Sequence, residues 1–334
     1  MHQRSIFTLS SSSIVRSVSA EAELPAAWRR TMSFSIKHLD YLFITRPVLM
    51  PPVWSILLLG HLRAAGLEGH RISIGPVFFL ISISIGAVYI LNQIYDIESD
   101  RINGKLFFLA GGLIPLNNAW LEALLLAAAG VFGAFLWSFQ LGILFASGFL
   151  FGYLYSAPPF SLKNRHVWGL LCNALGHGSL TFLIGWCVIS NLSLRALFFS
   201  LPYFLAVAAV YLNTTLPDIQ GDQKVNKITL GVKLGIPRAA GLSLFFVLLS
   251  LVLAWVFMDR VFVVAAALSF PFFVYAALTK KIKGIILSVK MAVLCLTIAA
   301  AIFYPWYFVV LIVGFLGTRI YYRSRFDMAY PTFI

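Results

Sequence analysis

Charge is scarce in this 334-residue chain: 11% of residues are Asp, Glu, Lys or Arg, and only 12 are acidic. Apolar side chains make up 60% and the mean hydropathy is +0.89. A soluble domain carries about 25% charged residues, so a water-soluble globule of this size is excluded. Cysteine is equally sparse. Cys172, Cys187 and Cys295 lie inside apolar stretches, with no CxxC pair and no histidine at ligand spacing, which excludes a disulfide framework and a zinc centre. Strand-scale alternation is missing, which excludes an outer-membrane barrel. The net charge of +13 comes from Lys and Arg placed between the apolar runs, with no basic stripe of interleaved aromatics, so nucleic acid is not an expected partner.

Long apolar runs fill the remainder. Each approaches or exceeds the roughly 20 residues needed to cross a bilayer core as helix, which predicts an all-α, polytopic membrane protein with the lipid bilayer as its medium. Runs bounded by charge and Gly/Pro/Asn punctuation predict about nine transmembrane helices, near 44–62, 74–97, 118–137, 140–157, 168–188, 195–216, 238–258, 260–279 and 285–304. The run 285–318 is too long for one upright helix and contains Pro305, so it reads either as a kinked ninth span or as a ninth and a short tenth. With the N-terminus inside, the inner segments hold Lys37 and Arg46, Lys163 and Arg165, Lys224, Lys227, Lys233 and Arg238, and Lys280, Lys281, Lys283 and Lys290. The outer loops hold Arg63, Arg71, Arg195 and Arg260 alone. This asymmetry predicts a cytoplasmic N-terminus. Arg319, Arg323 and Arg325 conflict with a C-terminus outside, and a tenth span removes the conflict. The expected organisation is a weakly structured extension over 1–39, a membrane domain over 40–320 and a tail over 321–334. The Ser-rich first 31 residues read either as a transit segment or as the product of a start codon upstream of Met32. The inner or plasma membrane is the expected location, with an organelle membrane as the alternative.

Five of the 12 acidic residues fall in two short clusters, Asp96, Glu98 and Asp100 after the second span and Asp218 and Asp222 after the sixth. Charge at the edge of an apolar span is costly and usually functional. Asn92, Asp96 and Asp100 follow i, i+4, i+8 spacing, so on a helix they share an arc of about 80° and climb about 12 Å. Asp218 and Asp222 repeat the i, i+4 step, and Pro217 and Gly221 imply that the span ends or unwinds there. Parity places both clusters on one side. Oxygen-only ligands of this type suit Mg²⁺, which completes its shell with water and phosphate oxygens. Facing acidic clusters repel unless cations lie between them, so the pair predicts a diphosphate held through Mg²⁺.

The loop after the fourth span, Tyr155-Ser-Ala-Pro-Pro-Phe-Ser-Leu-Lys163-Asn-Arg165, falls on the same side. Its prolines stiffen it, and Lys163 and Arg165 offer donors to phosphate. Together the three segments resemble the intramembrane UbiA-type prenyltransferase superfamily, with Asn92/Asp96/Asp100 matching Asn-x-x-x-Asp-x-x-x-Asp, Asp218/Asp222 matching Asp-x-x-x-Asp, and Tyr155-Ser156-Ala157-Pro158-Pro159 matching Tyr-Ser-x-Pro-Pro. The flanks Asp100-Arg-Ile-Asn103 and Lys227-Ile-Thr229 agree too. The likeness covers roughly 40–304. Two departures stand out: Lys105-Leu106-Phe107 where many members have Lys-Arg-Pro, and Asn226 where Gly is common.

The resemblance implies helices around a central cavity, capped by cytoplasmic loops and open sideways to lipid. It implies transfer of a polyprenyl group from a polyprenyl diphosphate to a hydrophobic or aromatic acceptor. Asp96, Asp100, Asp218 and Asp222, with Asn92 as a further oxygen donor, are then expected to hold two Mg²⁺, and Arg101, Lys105, Lys163 and Lys227 to neutralise the diphosphate. Tyr155 and Ser156 are expected at the substrate, with Tyr155 as cavity lining and Arg46 as an acceptor contact. An aromatic quinone precursor is the favoured acceptor, against a lipid or sugar phosphate or a tetrapyrrole. A cation-coupled transporter is the rival from another class, disfavoured because transporters place such residues near the midplane. His177, inside the fifth span, is left outside this site.

Overall fold

The computed structural model describes residues 37–70, 72–102, 108–224 and 227–331. Within them the chain is built of helices: α1 (Leu39–Ile44), α2 (Pro51–Glu68), α3 (Gly75–Ile102), α4 (Leu116–Trp137), α5 (Phe139–Ser156), α6 (His166–Trp186), α7 (Leu194–Thr215), the short α8 (Ile219–Lys224), α9 (Leu230–Val256), α10 (Arg260–Thr279), α11 (Ile282–Phe303) and α12 (Pro305–Phe326). Nine of the described helices are long and apolar enough to cross a membrane, and the bent pair before α3 raises the number to ten. The chain is an integral, multi-pass membrane protein.

Sequence punctuation sets the helix ends. Ser138, Ser193, Thr229 and Asp259 accept a hydrogen bond from the backbone N–H three residues on and so start α5, α7, α9 and α10. Pro51 and Pro52 open α2, where missing N–H groups cost nothing, and Gly69 closes it at φ 73°. Small residues let the helices approach. Ala119, Ala123, Ala127, Gly130 and Ala134 line the buried face of α4 at three- to four-residue spacing. A Cβ on Gly60 of α2 would meet the Phe182 carbonyl of α6, and one on Gly185 the Leu57 carbonyl, so these two helices touch backbone to backbone. Large apolar side chains such as Leu136, Leu194 and Leu278 point outward, as lipid-facing residues do.

Three boundaries differ from the sequence reading. The first span is broken: α1 and the turn Pro47–Leu49 meet α2 at 62°, with Arg46 at φ 54° in the left-handed region. Proline at 47, 51 and 52 leaves too few backbone donors for one continuous helix. The seventh span extends back to Leu230 through a break at Gly235 (φ 70°) and Pro237. Pro305 does not kink the ninth span but opens α12, a separate helix of 22 residues that runs to Phe326. If the bent first pair counts as one span, the described helices make ten crossings, which would return the chain to its starting face and remove the conflict posed by the terminal arginines.

The C-terminal end of α12 is fastened there. Arg325 donates to both carboxylate oxygens of Asp40 at 3.1 Å, Tyr321 donates to the same carboxylate, and Tyr321 stacks on Phe43 at 3.8 Å. Gln93, one residue after Asn92, donates to the Ile44 carbonyl at 2.7 Å and ties α3 to α1.

Candidate active site

The stripe Asn92, Asp96 and Asp100 lies wholly within α3, in the last three turns, so the helical spacing read from the sequence holds. Asp218 sits in the turn after α7, and Asp222 in α8, where its backbone N–H bonds the Asp218 carbonyl at 2.8 Å. The span does end at Thr215, as Pro217 required.

The loop between α5 and α6 joins the two clusters. Ser156 Oγ donates to Asn92 Oδ1 at 3.1 Å. Lys163 Nζ reaches the same oxygen at 3.1 Å and Asp96 Oδ1 at 2.7 Å. The loop then pairs in parallel with the segment after α8, Arg165 opposite Ile228 and His166 opposite Thr229. That pairing brings Lys227 within electrostatic reach of Lys163, and Lys227 lies 3.7 Å from Asp222. Burial pushes the Lys163 ammonium below its ordinary pKa, and the Asp96 carboxylate pulls it part of the way back. Asp100 meets Arg46 at 3.7 Å.

Carboxylates and cations therefore alternate: Arg46 with Asp100, Lys163 with Asp96, and Lys227 with Asp222. Among the described residues no three carboxylate, imidazole or thiol groups converge on one point. The donor set nonetheless suits a hard divalent cation. It is made of oxygen, and one ammonium already lies where Asp96 Oδ1 and Asn92 Oδ1 converge, a position a small cation fits. Arg101 is exposed, and its Nε is spent on the Ala110 carbonyl at 3.3 Å, so the structure does not bring it to the others. Lys105, with the departure Leu106-Phe107, lies outside the described residues, as does Asn226.

Beneath this polar roof lie two adjoining cavities of about 280 Å³ and about 80 Å³ that share Val53, Asn173 and His177 in their walls. Tyr211 lines the larger and Tyr155 the smaller, and their hydroxyls meet at 3.5 Å. Tyr155 lies in the field of Asp96 and Tyr211 in that of Asp222, so the two rings separate the charged roof from the apolar space. Tyr203 and Phe262 stand at the far end of the larger cavity, with the Tyr203 hydroxyl held on Asp259 at 2.8 Å. A lipid-side groove of about 1120 Å³ runs between α2, α11 and α12 and shares Val293 with the larger cavity. Sequence reasoning missed the cavity walls on α6, α7 and α10. Apolar lining residues have the composition of lipid-facing ones, and polar exceptions such as Asn173 and His177 are the signal that could have found them.

Comparison with known proteins agrees with this architecture. The model of the UbiA prenyltransferase family matches residues 49–284. A probable chloroplastic homogentisate phytyltransferase 2 of Oryza sativa subsp. japonica is 34% identical over 179 residues, 49% of this chain and 46% of that protein. A 2-acylphloroglucinol 4-prenyltransferase of Humulus lupulus is 30% identical over 158 residues, 43% and 37% of the two chains. The chain thus spans about half the length, or less, of these curated relatives. A solved UbiA homologue from Archaeoglobus fulgidus, bound to GPP and Mg²⁺, shares the fold with a TM-score of 0.62 at 22% identity, covering 82% of this chain and all of that one.

Proposed function

Because this chain belongs to the UbiA prenyltransferase family, we propose that it transfers a polyprenyl group from polyprenyl diphosphate to a hydroxylated aromatic acceptor of the quinone-precursor type and releases diphosphate. The observation that carries the reading is Lys163, a buried ammonium between Asp96 and Asn92 at the roof of an apolar cavity, with Lys227 and Asp222 beside it. Asp96, Asp100, Asp218 and Asp222, with Asn92, are the residues that would hold Mg²⁺. The metal supplies positive charge to the diphosphate as the allylic C–O bond breaks.

The chain's own residues perform the remaining work. Lys163, Lys227 and Arg46 are cations already paired with carboxylates, and an arriving diphosphate gives each a second anionic partner. Ser156 holds the Asn92 amide oxygen in place at 3.1 Å. Tyr155 and Tyr211 keep water from the cavity, where the allylic cation needs a dry space and aromatic faces until it meets its acceptor. The acceptor class follows the relatives, whose names specify homogentisate and acylphloroglucinol. The excess of Lys and Arg on the motif face supports a site on the cytoplasmic side or its equivalent.

Purified protein incubated with a prenyl diphosphate, Mg²⁺ and a panel of acceptors tests the proposal, with products identified by mass. Prenylated phenol is expected, with transfer lost at least about 100-fold in Asp96→Asn and Asp222→Asn. Undiminished transfer in both variants, or diphosphate release that ignores Mg²⁺, refutes it.

A further inference from the structure

His177 lies in a π-helical turn, Ala174–Leu180, that interrupts α6. Such turns add a residue to the helical repeat and cluster at functional sites, because the bulge re-aims a side chain that a regular helix would direct elsewhere. Here the bulge brings His177 into the walls of both cavities, together with Asn173 one turn before it. The other polar groups of the larger cavity are engaged. Tyr89 donates to the Leu49 carbonyl at 3.2 Å, Tyr203 to Asp259 at 2.8 Å, Tyr211 contacts Tyr155 at 3.5 Å, and Thr214 donates to the Tyr211 carbonyl at 2.7 Å. Among the described residues no side chain bonds the His177 imidazole or the Asn173 amide.

A neutral imidazole carries one N–H and one lone pair, so the ring brings both a donor and an acceptor to the cavity wall. The ring plane is set against Tyr89, parallel to within 14° at 6.4 Å. Tyr89 precedes Asn92 by three residues on α3, about 4.5 Å deeper along the helix and on the same face. The imidazole therefore lies about one turn beneath the roof, at the depth where an acceptor ring would meet the allylic end of a donor whose diphosphate is held by Asn92, Asp96 and Lys163.

We propose that His177 binds the hydroxyl of the aromatic acceptor and takes its proton, with the Asn173 amide on a neighbouring oxygen of the same ring. The inference rests on the prenyl transfer proposed above. As the allylic C–O bond breaks, its electron pair leaves with diphosphate. A π pair of the ring forms the new C–C bond ortho to the hydroxyl, and the O–H proton passes to His177, leaving a neutral dienone. The ring-carbon proton then moves to oxygen to restore the phenol, and His177 returns its proton to water. The net change is one C–O bond broken, one C–C bond formed and one proton released.

The test uses the full-length purified protein with Mg²⁺, a prenyl diphosphate and either a hydroxylated acceptor or its methyl ether. In His177→Leu, kcat/KM for the hydroxylated acceptor, taken relative to diphosphate release from donor alone, is expected to fall about 100-fold, the scale of a lost acid–base group. The methyl ether should lose a similar factor with the unaltered protein and nothing further in the variant, because the contact is already gone. His177→Gln, whose amide accepts a hydrogen bond but takes no proton, should recover the acceptor KM while kcat stays low. Transfer within twofold of normal in His177→Leu, or an equal added loss with the methyl ether, overturns the role of His177 and leaves prenyl transfer standing. Absence of any Mg²⁺-dependent diphosphate release by the unaltered protein overturns both.

Discussion

Lys163→Met removes the buried ammonium that bonds Asn92 and Asp96, and the structure gives the size of the effect. The Lys163 Nζ lies 2.7 Å from Asp96 Oδ1, and the lysine side chain is 5% exposed against 18% for Asp96. At that separation and an effective dielectric near 20, the gross attraction is about 6 kcal/mol. Desolvation offsets most of it, since burial outweighs Asp96 in setting the lysine's lowered pKa. Removing one partner of a fully buried pair costs about 3–5 kcal/mol. The residual exposure of Asp96 reduces that to about 1.5–3 kcal/mol, which corresponds to about 10- to 100-fold in an equilibrium constant. The ammonium competes with a divalent cation for Asp96 and Asn92. Donor-free Lys163→Met should therefore bind Mn²⁺, followed by electron paramagnetic resonance or calorimetry, about 10- to 100-fold more tightly, while the KM for prenyl diphosphate rises by at least a similar factor. The pH dependence has a definite sign. A lysine whose folded pKa is depressed binds fewer protons folded than unfolded, so stability rises with pH in the window between that lowered value and the ordinary 10.5, while donor-free metal affinity rises as pH climbs to the lowered value, where the competing ammonium is lost. The variant should lack that rise. Metal affinity unchanged or weakened in Lys163→Met, with no alkaline rise in the unaltered protein, would refute the competition.

The clamp at the end of α12 predicts that Arg325→Met leaves the Asp40 carboxylate buried with no cation and only the Tyr321 hydroxyl on it, at a cost of about 3 kcal/mol; thermal melting in detergent should show it, and most should return in Asp40→Asn/Arg325→Met. Gly60→Ala and Gly185→Ala should each lower the melting temperature, by about 1–3 kcal/mol of overpacking, because the new Cβ meets a carbonyl of the neighbouring helix. Gly66→Ala, which meets nothing within 4 Å, should not. Burial raises the Asp259 pKa above its ordinary 3.8, so the folded state holds that proton longer and the associated stability is lost as pH climbs through the raised value. Asp259→Asn should flatten that slope in acid-range melting curves.

The spans and the acidic stripe were legible because each rests on a local rule. Twenty apolar residues make a crossing helix whatever they pack against, and i, i+4, i+8 spacing aligns Asn92, Asp96 and Asp100 on any helix. Parity alone placed Asp222 and Asp96 on one side, and the pairing of the Lys163 loop with the segment that carries Lys227 was not legible. Features set by long-range contacts were not. The separation of α12 from α11 depends on whether Pro305 bends a helix or opens one, and the deciding contacts, Arg325 and Tyr321 on Asp40, join positions almost 300 residues apart in sequence. The break after α1 stands on Arg46 at positive φ, a conformation that nothing in the residue type announces.

The same distinction explains why the site's charges and its cavity were read so unequally. Motif spacing identified the carboxylates and the loop lysine as separate contributors, one set for metal and one for phosphate. The folded chain interleaves them: Asp96, Asp100 and Asp222, proposed for metal, are each paired with a cation proposed for phosphate. Four carboxylates at the rim of an apolar cavity would otherwise repel and protonate. Pairing three of them, Asp100, Asp96 and Asp222, with Arg46, Lys163 and Lys227 keeps the roof assembled without substrate. Specificity then falls to the few polar side chains below the roof that the fold leaves unengaged. In a chain this apolar, a histidine carried into a cavity by a π-turn is better evidence of a ligand than another acidic residue would be. An ion pair can satisfy a carboxylate, whereas a neutral imidazole facing that cavity still has a lone pair to place.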